Sequence, residues 1–454
     1  MSETPGSDHG GAPLTRRRFL AKTVGAGATL GLAPTLLAAC GGASGPEGKD
    51  DKNVLTLWHM EEPPNRVKAF QEVIDRYNAT DPKYRVKQQV QNWDEIYSKI
   101  ASSIQSGNQP DVLFTIPDFT TYVRTLGSVR PVSKKVEGLD AGHGFSDVAT
   151  APYRDKGEHW AIPLYGMVQV LWYRKDLLDE AGVEPPKSWD DLLTAAKQLD
   201  AGKTSGIALP AGRNLATDQV VYSFMVTNGA ANFFTDDGGI DFDKPEVVES
   251  FDFYNQLLKY SPSDSGSYSW GEPQAALNSG AAAMAIEKGQ YLAPFEEESG
   301  RPTDDLGCVP IPQPDGGQPG SIYYSNGAMI LSDDDERAAA AEDFLSFILK
   351  PDNYGDFLNA EPGLFLPLTE DGREAESWTQ HKTIKKYSHC VDVMLKQAES
   401  GELFGFVDGQ YIDTVGEISG QNIIAQVIQR MHSSGHSPAK AVAWGAEQMQ
   451  DAVR

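Results

Sequence analysis

Between Val54 and Ile116, short apolar runs alternate with longer amphipathic ones, and no other feature narrows the possible folds as much. VLTLW (Val54 to Trp58) reads as a strand. In RVKAFQEVIDRYNAT, the side chains of Val67, Phe70, Val73, Ile74 and Tyr77 recur at helical spacing before Asp81-Pro82 stops the helix. YRVKQQV is the next strand, a helix around Ile96 to Ile104 follows, and QPDVLFTI returns to strand. Strand, helix, strand, helix, strand predicts a parallel-rich α/β sheet with its ligand edge at the carboxyl ends of the strands. A second unit begins near Ile162, where a long apolar strand runs into a helix. The next helix opens at Pro185-Pro186-Lys187-Ser188-Trp189-Asp190, with Ser188 or Asp190 as its N-cap. Further α/β elements are expected over 205–330, a helix from Arg337 to Leu349 ended by Pro351, and mostly helix after that. No internal repeat is evident.

The first forty residues follow a different logic. Arg16, Arg17 and Arg18 precede a run of small and apolar residues that ends in Leu37-Ala38-Ala39-Cys40, the layout of an export signal. Thr15-Arg16-Arg17-Arg18-Phe19-Leu20 looks like a twin-arginine signal, and Leu37 to Cys40 looks like a lipobox. Three glycines and a proline make the run a poor membrane-spanning helix. The expectation is a leader over 1–39, lipid on Cys40, a flexible tether over 40–52, and a domain held on the outer face of the bacterial membrane.

Charge narrows the partners. The formal net charge is -25, and removing the leader makes the chain more acidic still, which excludes nucleic acid as a partner. Cys308 and Cys390 remain after the lipid cysteine. An oxidising compartment would let them pair, whereas folding before export and apolar surroundings favour two buried thiols. Scattered histidines, with only His432 and His436 four apart in a Ser/Gly-rich loop, predict no metal site. No cofactor is expected. The hydrolase motifs Gly-x-Ser-x-Gly and His-Glu-x-x-His are absent from the sequence, so an exported glycosidase is a minor alternative.

Six segments in order resemble a known family. They are VLTLW, NQPDVLF, PLYGMVQVLWYRKDLLDEAGVEPPKSWDDLLTAAKQL, ALNSGAAAMAIEKGQY, the pair AAAEDFLSFIL and EPGLFLPL, and SPAKAVAWGAEQM. Together they resemble the extracellular solute-binding proteins of ABC importers, in the branch of maltose- and oligosaccharide-binding proteins. The resemblance implies a periplasmic-binding-protein-like fold, two α/β lobes joined by a three-crossing hinge with the ligand cleft between them. The crossings would lie near Pro163 to Gly166, Asn326 to Ile330 and Gly363 to Pro367. One lobe would hold 53–163 plus 331–364, the other 164–330 plus 365–454. It also implies a monomer that captures a carbohydrate and delivers it to the transmembrane subunits of an ABC permease, with no enzymatic activity.

A pyranose offers flat C–H faces and a rim of hydroxyls, so its site needs aromatic rings together with carboxylates and amides. Trp58 and Glu62 follow the first strand; by resemblance Glu62 falls where relatives place a hydroxyl-binding acid, although Pro63 replaces their basic neighbour. Asn92 lies between a strand and a helix. Asp118 matches the family's sugar-binding acid, and Tyr291 its stacking aromatic; both are expected on the cleft wall. Tyr165, Asn326 and Phe365 sit at the three crossings. Trp270, in the polar run SPSDSGSYSWGEP, is either a lid over the ligand or an anchor for its loop. Thr115 and Met167 stand where maltose binders carry a tryptophan and an acid, which points to a different sugar. Trp172 and Tyr173 read as core. A glycerol phosphodiester is the second candidate ligand, with Arg213 as its phosphate partner.

Overall fold

The computed structural model describes residues 52–454 apart from 236, 408–411 and 413. Cys40, the leader and the tether before Lys52 therefore lie outside the described residues. Val54–His59 (β1), Arg85–Val90 (β2) and Val112–Thr115 (β3) are parallel strands. Pro64–Asn78 (α1) and Ile96–Gln105 (α2) connect them, as the alternation predicts. The first of these helices buries Phe70, Val73, Ile74 and Tyr77. It starts at Pro64, where a missing N–H costs nothing because the first turn has no intrahelical acceptor for it. Pro117–Thr125 (α3) leaves the carboxyl end of β3.

The expected long strand at 162 is in fact two. Ile162–Val168 (β4) and Val170–Arg174 (β5) are separated by one residue, Gln169, and belong to different sheets. Gln169 is fully buried; its Oε1 accepts from Ser223 Oγ at 2.7 Å, and its carbonyl accepts from Ser321 Oγ at 2.8 Å. The chain is thereby fastened at the point where it changes sheet. Lys175–Ala181 (α4) and Trp189–Leu199 (α5) follow. Ser188 caps α5 in a reciprocal box with Asp191, each side chain bonding the other's backbone N–H. Leu215–Thr227 (α6) is buried along its whole length. Such a helix belongs between layers, not on a surface.

Met284–Glu287 (β6), β5 and Leu306–Val309 (β7) form a three-stranded antiparallel sheet in the order β6-β5-β7. The six-stranded sheet runs β9-β8-β3-β1-β2 with β4 also on β8, where β8 is Ser321–Ile330 and β9 is Gly401–Glu402. Asp335–Leu349 (α7) is capped by Asp334; Pro351, expected to stop it, opens the helix Pro351–Leu358 (α8). Ser388–Ala398 (α9) and Val415–Gln421 (α10) complete what the site requires. With a six-stranded and a three-stranded sheet, beside a two-stranded hairpin over 154–159, the architecture is the two-lobe α/β fold.

The three segments expected as crossings lie side by side. β4 pairs with β8 from Ile162↔Ala328 to Val168↔Tyr323, and Gly166 exchanges backbone bonds of 2.8 and 2.9 Å with Leu366. Nearby, Gly289 meets Gly363: a Cβ on Gly289 would stand 2.0 Å from the Gly363 carbonyl oxygen, and Gly363 itself has φ +92°. Only glycine satisfies both demands.

Candidate functional site

A cavity of about 510 Å³ opens between the carboxyl end of β1 on one side and the end of β6 with the start of α6 on the other. Its size suits a small solute. Backbone geometry explains the wall. Met60 to Pro63 lie where β1 ends and the chain turns into α1, Lys288 and Gln290 follow β6, and Tyr324 and Asn326 alternate on one face of β8. Trp270 closes the opposite edge from the turn before the helix Gly271–Ser279.

Most of the wall's charges are ion-paired, Glu62 being bonded only by the Asn92 amide. Arg66 holds Glu61 through Nη1 at 2.8 Å and Glu361 through Nε at 3.0 Å. Lys288 Nζ meets Glu287 Oε1 at 3.2 Å and donates to Gln219 Oε1 at 2.7 Å, while lying 4.1 Å from the centre of the Trp270 ring. Burial lowers the Lys288 ammonium below its ordinary value, against the pull of Glu287. Four wall groups carry no partner: Glu287 Oε2, Gln290 Oε1, Tyr324 OH and Asn326 Nδ2. Buried polar groups are normally bonded, and these four atoms are shielded from solvent as the chain stands, so they gain a partner only when a wall side chain shifts.

Behind Tyr324 lies a second polar group of side chains. Asp118, in the first turn of α3, is fully buried; Ser419 Oγ and the N–H groups of that turn draw its ionisation down, but no bond of good geometry reaches its carboxylate. Burial pushes Asp118 up to about 6. Asp218 on α6 accepts from Asn422 Nδ2 at 3.0 Å and from the Ala425 N–H at 2.6 Å, yet burial, with Asp118 nearby, pushes it up to about 7. Both folded values exceed the roughly 3.9 of an unfolded aspartate, so the folded chain holds extra protons between about pH 4 and 7. Stability is complete below that window and is lost as pH rises through it, by an amount on the order of 3 kcal/mol for each group. The ligand-free protein is expected to melt at a higher temperature at about pH 5 than at about pH 7.5, and Asp118→Asn to flatten the difference; an equal slope in the variant would contradict this.

The sequence-derived residues fall into three places. Glu62, Trp270 and Asn326 line the cavity. Asn92 stands beside Glu62 and donates to both its oxygens at 3.0 and 3.1 Å, while its own Oδ1 accepts from the Asp94 N–H in a turn. Tyr165 and Phe365 form a layer behind the wall: their rings lie 4.1 Å apart, and Tyr165 OH donates to Glu61 at 2.9 Å. Three expectations of wall positions are corrected. Tyr291 is fully buried, flat against Trp172 at 5.3 Å, because the sheet strand beneath it offers that ring a larger apolar face than the cavity does. Trp58 is buried at the end of β1, its indole N–H bonded to Gln89 Oε1 at 2.7 Å. Asp118 sits behind Tyr324 and off the cavity wall.

Sequence reasoning missed Arg66, Gln219, Glu287, Lys288, Gln290 and Tyr324. Gln290 and Leu364 on the wall each adjoin a residue that was singled out, Tyr291 and Phe365. The signal was position: Glu287 ends the strand MAIE and Lys288 to Gln290 follow it, where strand ends feed a site. Arg66 supplies from within α1 the basic group that Pro63 lacks.

Comparison with known proteins agrees with this geometry. Residues 63–355 match the family model described as bacterial extracellular solute-binding protein. YcjN of Escherichia coli K12, which carries the name of an ABC transporter periplasmic-binding protein, is 26% identical over 404 residues, 87% of this chain and 92% of its own. A Thermotoga lettingae ABC transporter solute-binding protein with bound α-D-tagatose superposes with a TM-score of 0.74 at 20% identity, covering 88% of this chain and 100% of the other. Maltose-bound MalE3 of Thermotoga maritima gives 0.75 at 16% identity, covering 88% and 99%. With two lobes, a walled cavity and a family match over more than half its length, the chain belongs to the bacterial extracellular solute-binding proteins, which hold a solute and do not convert it.

Proposed function

We propose that this chain is the receptor of an ABC importer, capturing a sugar, in particular a short oligosaccharide, and presenting it to the permease as a monomer anchored through lipid on Cys40. The observation that carries the reading is the cavity wall: the Trp270 ring stands among the carboxylates of Glu61 and Glu62 and the amides of Gln219, Gln290 and Asn326. Hydroxyls bond the carboxylates and amides, and a pyranose face covers the indole. Two relatives of the same fold bind tagatose and maltose, which supports a carbohydrate. The proposed lobes are 53–163 with 331–364 and 164–330 with 365–454. A ligand touching both favours the closed form by its differential affinity, and the permease reads that form.

Among the described residues, the cavity wall offers the phosphodiester reading no free cation. Arg66 and Lys288 each hold carboxylates, and Arg213 is exposed, bonds the Gln421 carbonyl at 3.3 Å and is not on the wall. Calorimetry against mono-, di- and trisaccharides, polyols and glycerol phosphodiesters separates the two. Tight binding of at least one sugar, with no binding of the diesters, is expected; the reverse pattern would overturn the sugar assignment. Mass spectrometry of the N-terminal peptide of the membrane-bound protein should find a lipidated Cys40, and an unmodified cysteine there would remove the anchor.

A further inference from the structure

Cys308 and Cys390 are 82 positions apart, and the fold brings them together. Cys308 lies on β7, the edge strand of the three-stranded sheet, and Cys390 is the third residue of α9, which covers that edge. Cys308 Sγ stands 3.8 Å from the Cys390 carbonyl oxygen, and the thiols are close enough to shape each other's ionisation. Burial raises Cys308. Cys390 is drawn the other way, first by the Cys308 S–H and then by His389. Cys390 is therefore the nucleophile of the pair and Cys308 its proton-bearing neighbour.

Neither residue lines the cavity, and among the described residues no group of three or more His, Cys, Asp or Glu is placed to hold a metal. Access comes from the edge. Cys308 keeps 6% of its surface, and His389, beside the fully buried Cys390, is exposed.

We propose that Cys308 and Cys390 form a dithiol site that is oxidised to an intramolecular disulfide outside the cytoplasm by a thiol oxidant that itself carries a disulfide. The Cys390 thiolate attacks one sulfur of the oxidant's disulfide, and one oxidant thiolate leaves and takes up a proton. Cys308 then loses its proton and attacks the Cys390 sulfur of the mixed disulfide, releasing the second oxidant thiol. Two protein thiols become one disulfide, and the oxidant's disulfide becomes two thiols. The product ties β7 to the first turn of α9 and leaves the cavity untouched.

The test uses the full chain isolated from an export-competent host, acid-quenched, denatured and alkylated. The expected result is no alkylation at either position, an intact mass two hydrogens lighter than the reduced form, and a non-reduced peptide joining 308 to 390. Reduction should lower the melting temperature by roughly 5 °C or more while sugar affinity changes less than twofold. The Cys308→Ser variant should trap one glutathione on Cys390 when treated with oxidised glutathione, because the resolving thiol is gone. Full alkylation of both cysteines in the exported protein overturns the proposal, even if glutathione oxidises the pair in vitro. Failure of Cys308→Ser to trap an adduct overturns the assigned order of attack.

Discussion

Trp270→Ala is expected to weaken sugar binding about fiftyfold to a hundredfold without lowering the melting temperature. The indole is half-buried, opens onto the cavity, and has Lys288 Nζ 4.1 Å from its ring centre. A pyranose face laid on that ring removes on the order of 100 Å² of apolar area from water, about 2.5 kcal/mol at roughly 25 cal/mol per Å². The same substitution leaves Lys288 bonded to Glu287 and Gln219, so the pocket keeps its charges in place. Trp270→Phe should recover much of the loss. Calorimetry with the best-binding sugar is the measurement; an alanine variant that binds like the parent would show that the ring only anchors its loop.

The largest stability effect is expected far from the cavity, at Asp111. This carboxylate is buried and receives Arg337 Nε at 2.8 Å and Nη2 at 2.6 Å, together with the Thr56 N–H at 2.8 Å. It joins β1, the start of β3 and α7, three elements distant in sequence. Burial pushes the acid up, but the bonds from Arg337 and Thr56 outweigh it and hold it below its ordinary value. Asp111 therefore contributes stability above about pH 4, and the contribution is lost as pH falls through its lowered value. Asp111→Asn strands the guanidinium among backbone carbonyls, and breaking such a pair costs about 3–5 kcal/mol. Denaturant unfolding at neutral pH should show that loss, and the double variant Asp111→Asn, Arg337→Met should regain part of it. A single variant as stable as the parent would mean that water replaces the pair at no cost.

Much of the fold was legible because its first elements are set by local periodicity. α1 and α2 carry a period of 3.6, the strands β1, β2 and β3 are short runs bounded by turn residues, and the Ser188 box is a spacing of three residues. The break at Gln169 was not legible. An apolar run through Ile162 to Arg174 looks continuous whether it stays in one sheet or passes between two, and only partners more than a hundred residues away decide it. The site was read less well for the same reason. Tyr291 is singled out by its match to the family's stacking aromatic, yet Trp172, 119 positions earlier, claims its ring, and the neighbouring Gln290 lines the cavity instead. Tyr324 and Gln219 have no motif. Their place comes from one strand face and one buried helix meeting, which is a tertiary fact.

Gln169 has a mechanical consequence. With one residue separating β4 from β5, any rotation of the smaller sheet against the larger must be taken up, on this segment, by very few backbone torsions, and a fixed change in them is magnified with distance along β5. The Ser223 and Ser321 hydroxyls bond this residue, so any such rotation must carry them along or break their bonds.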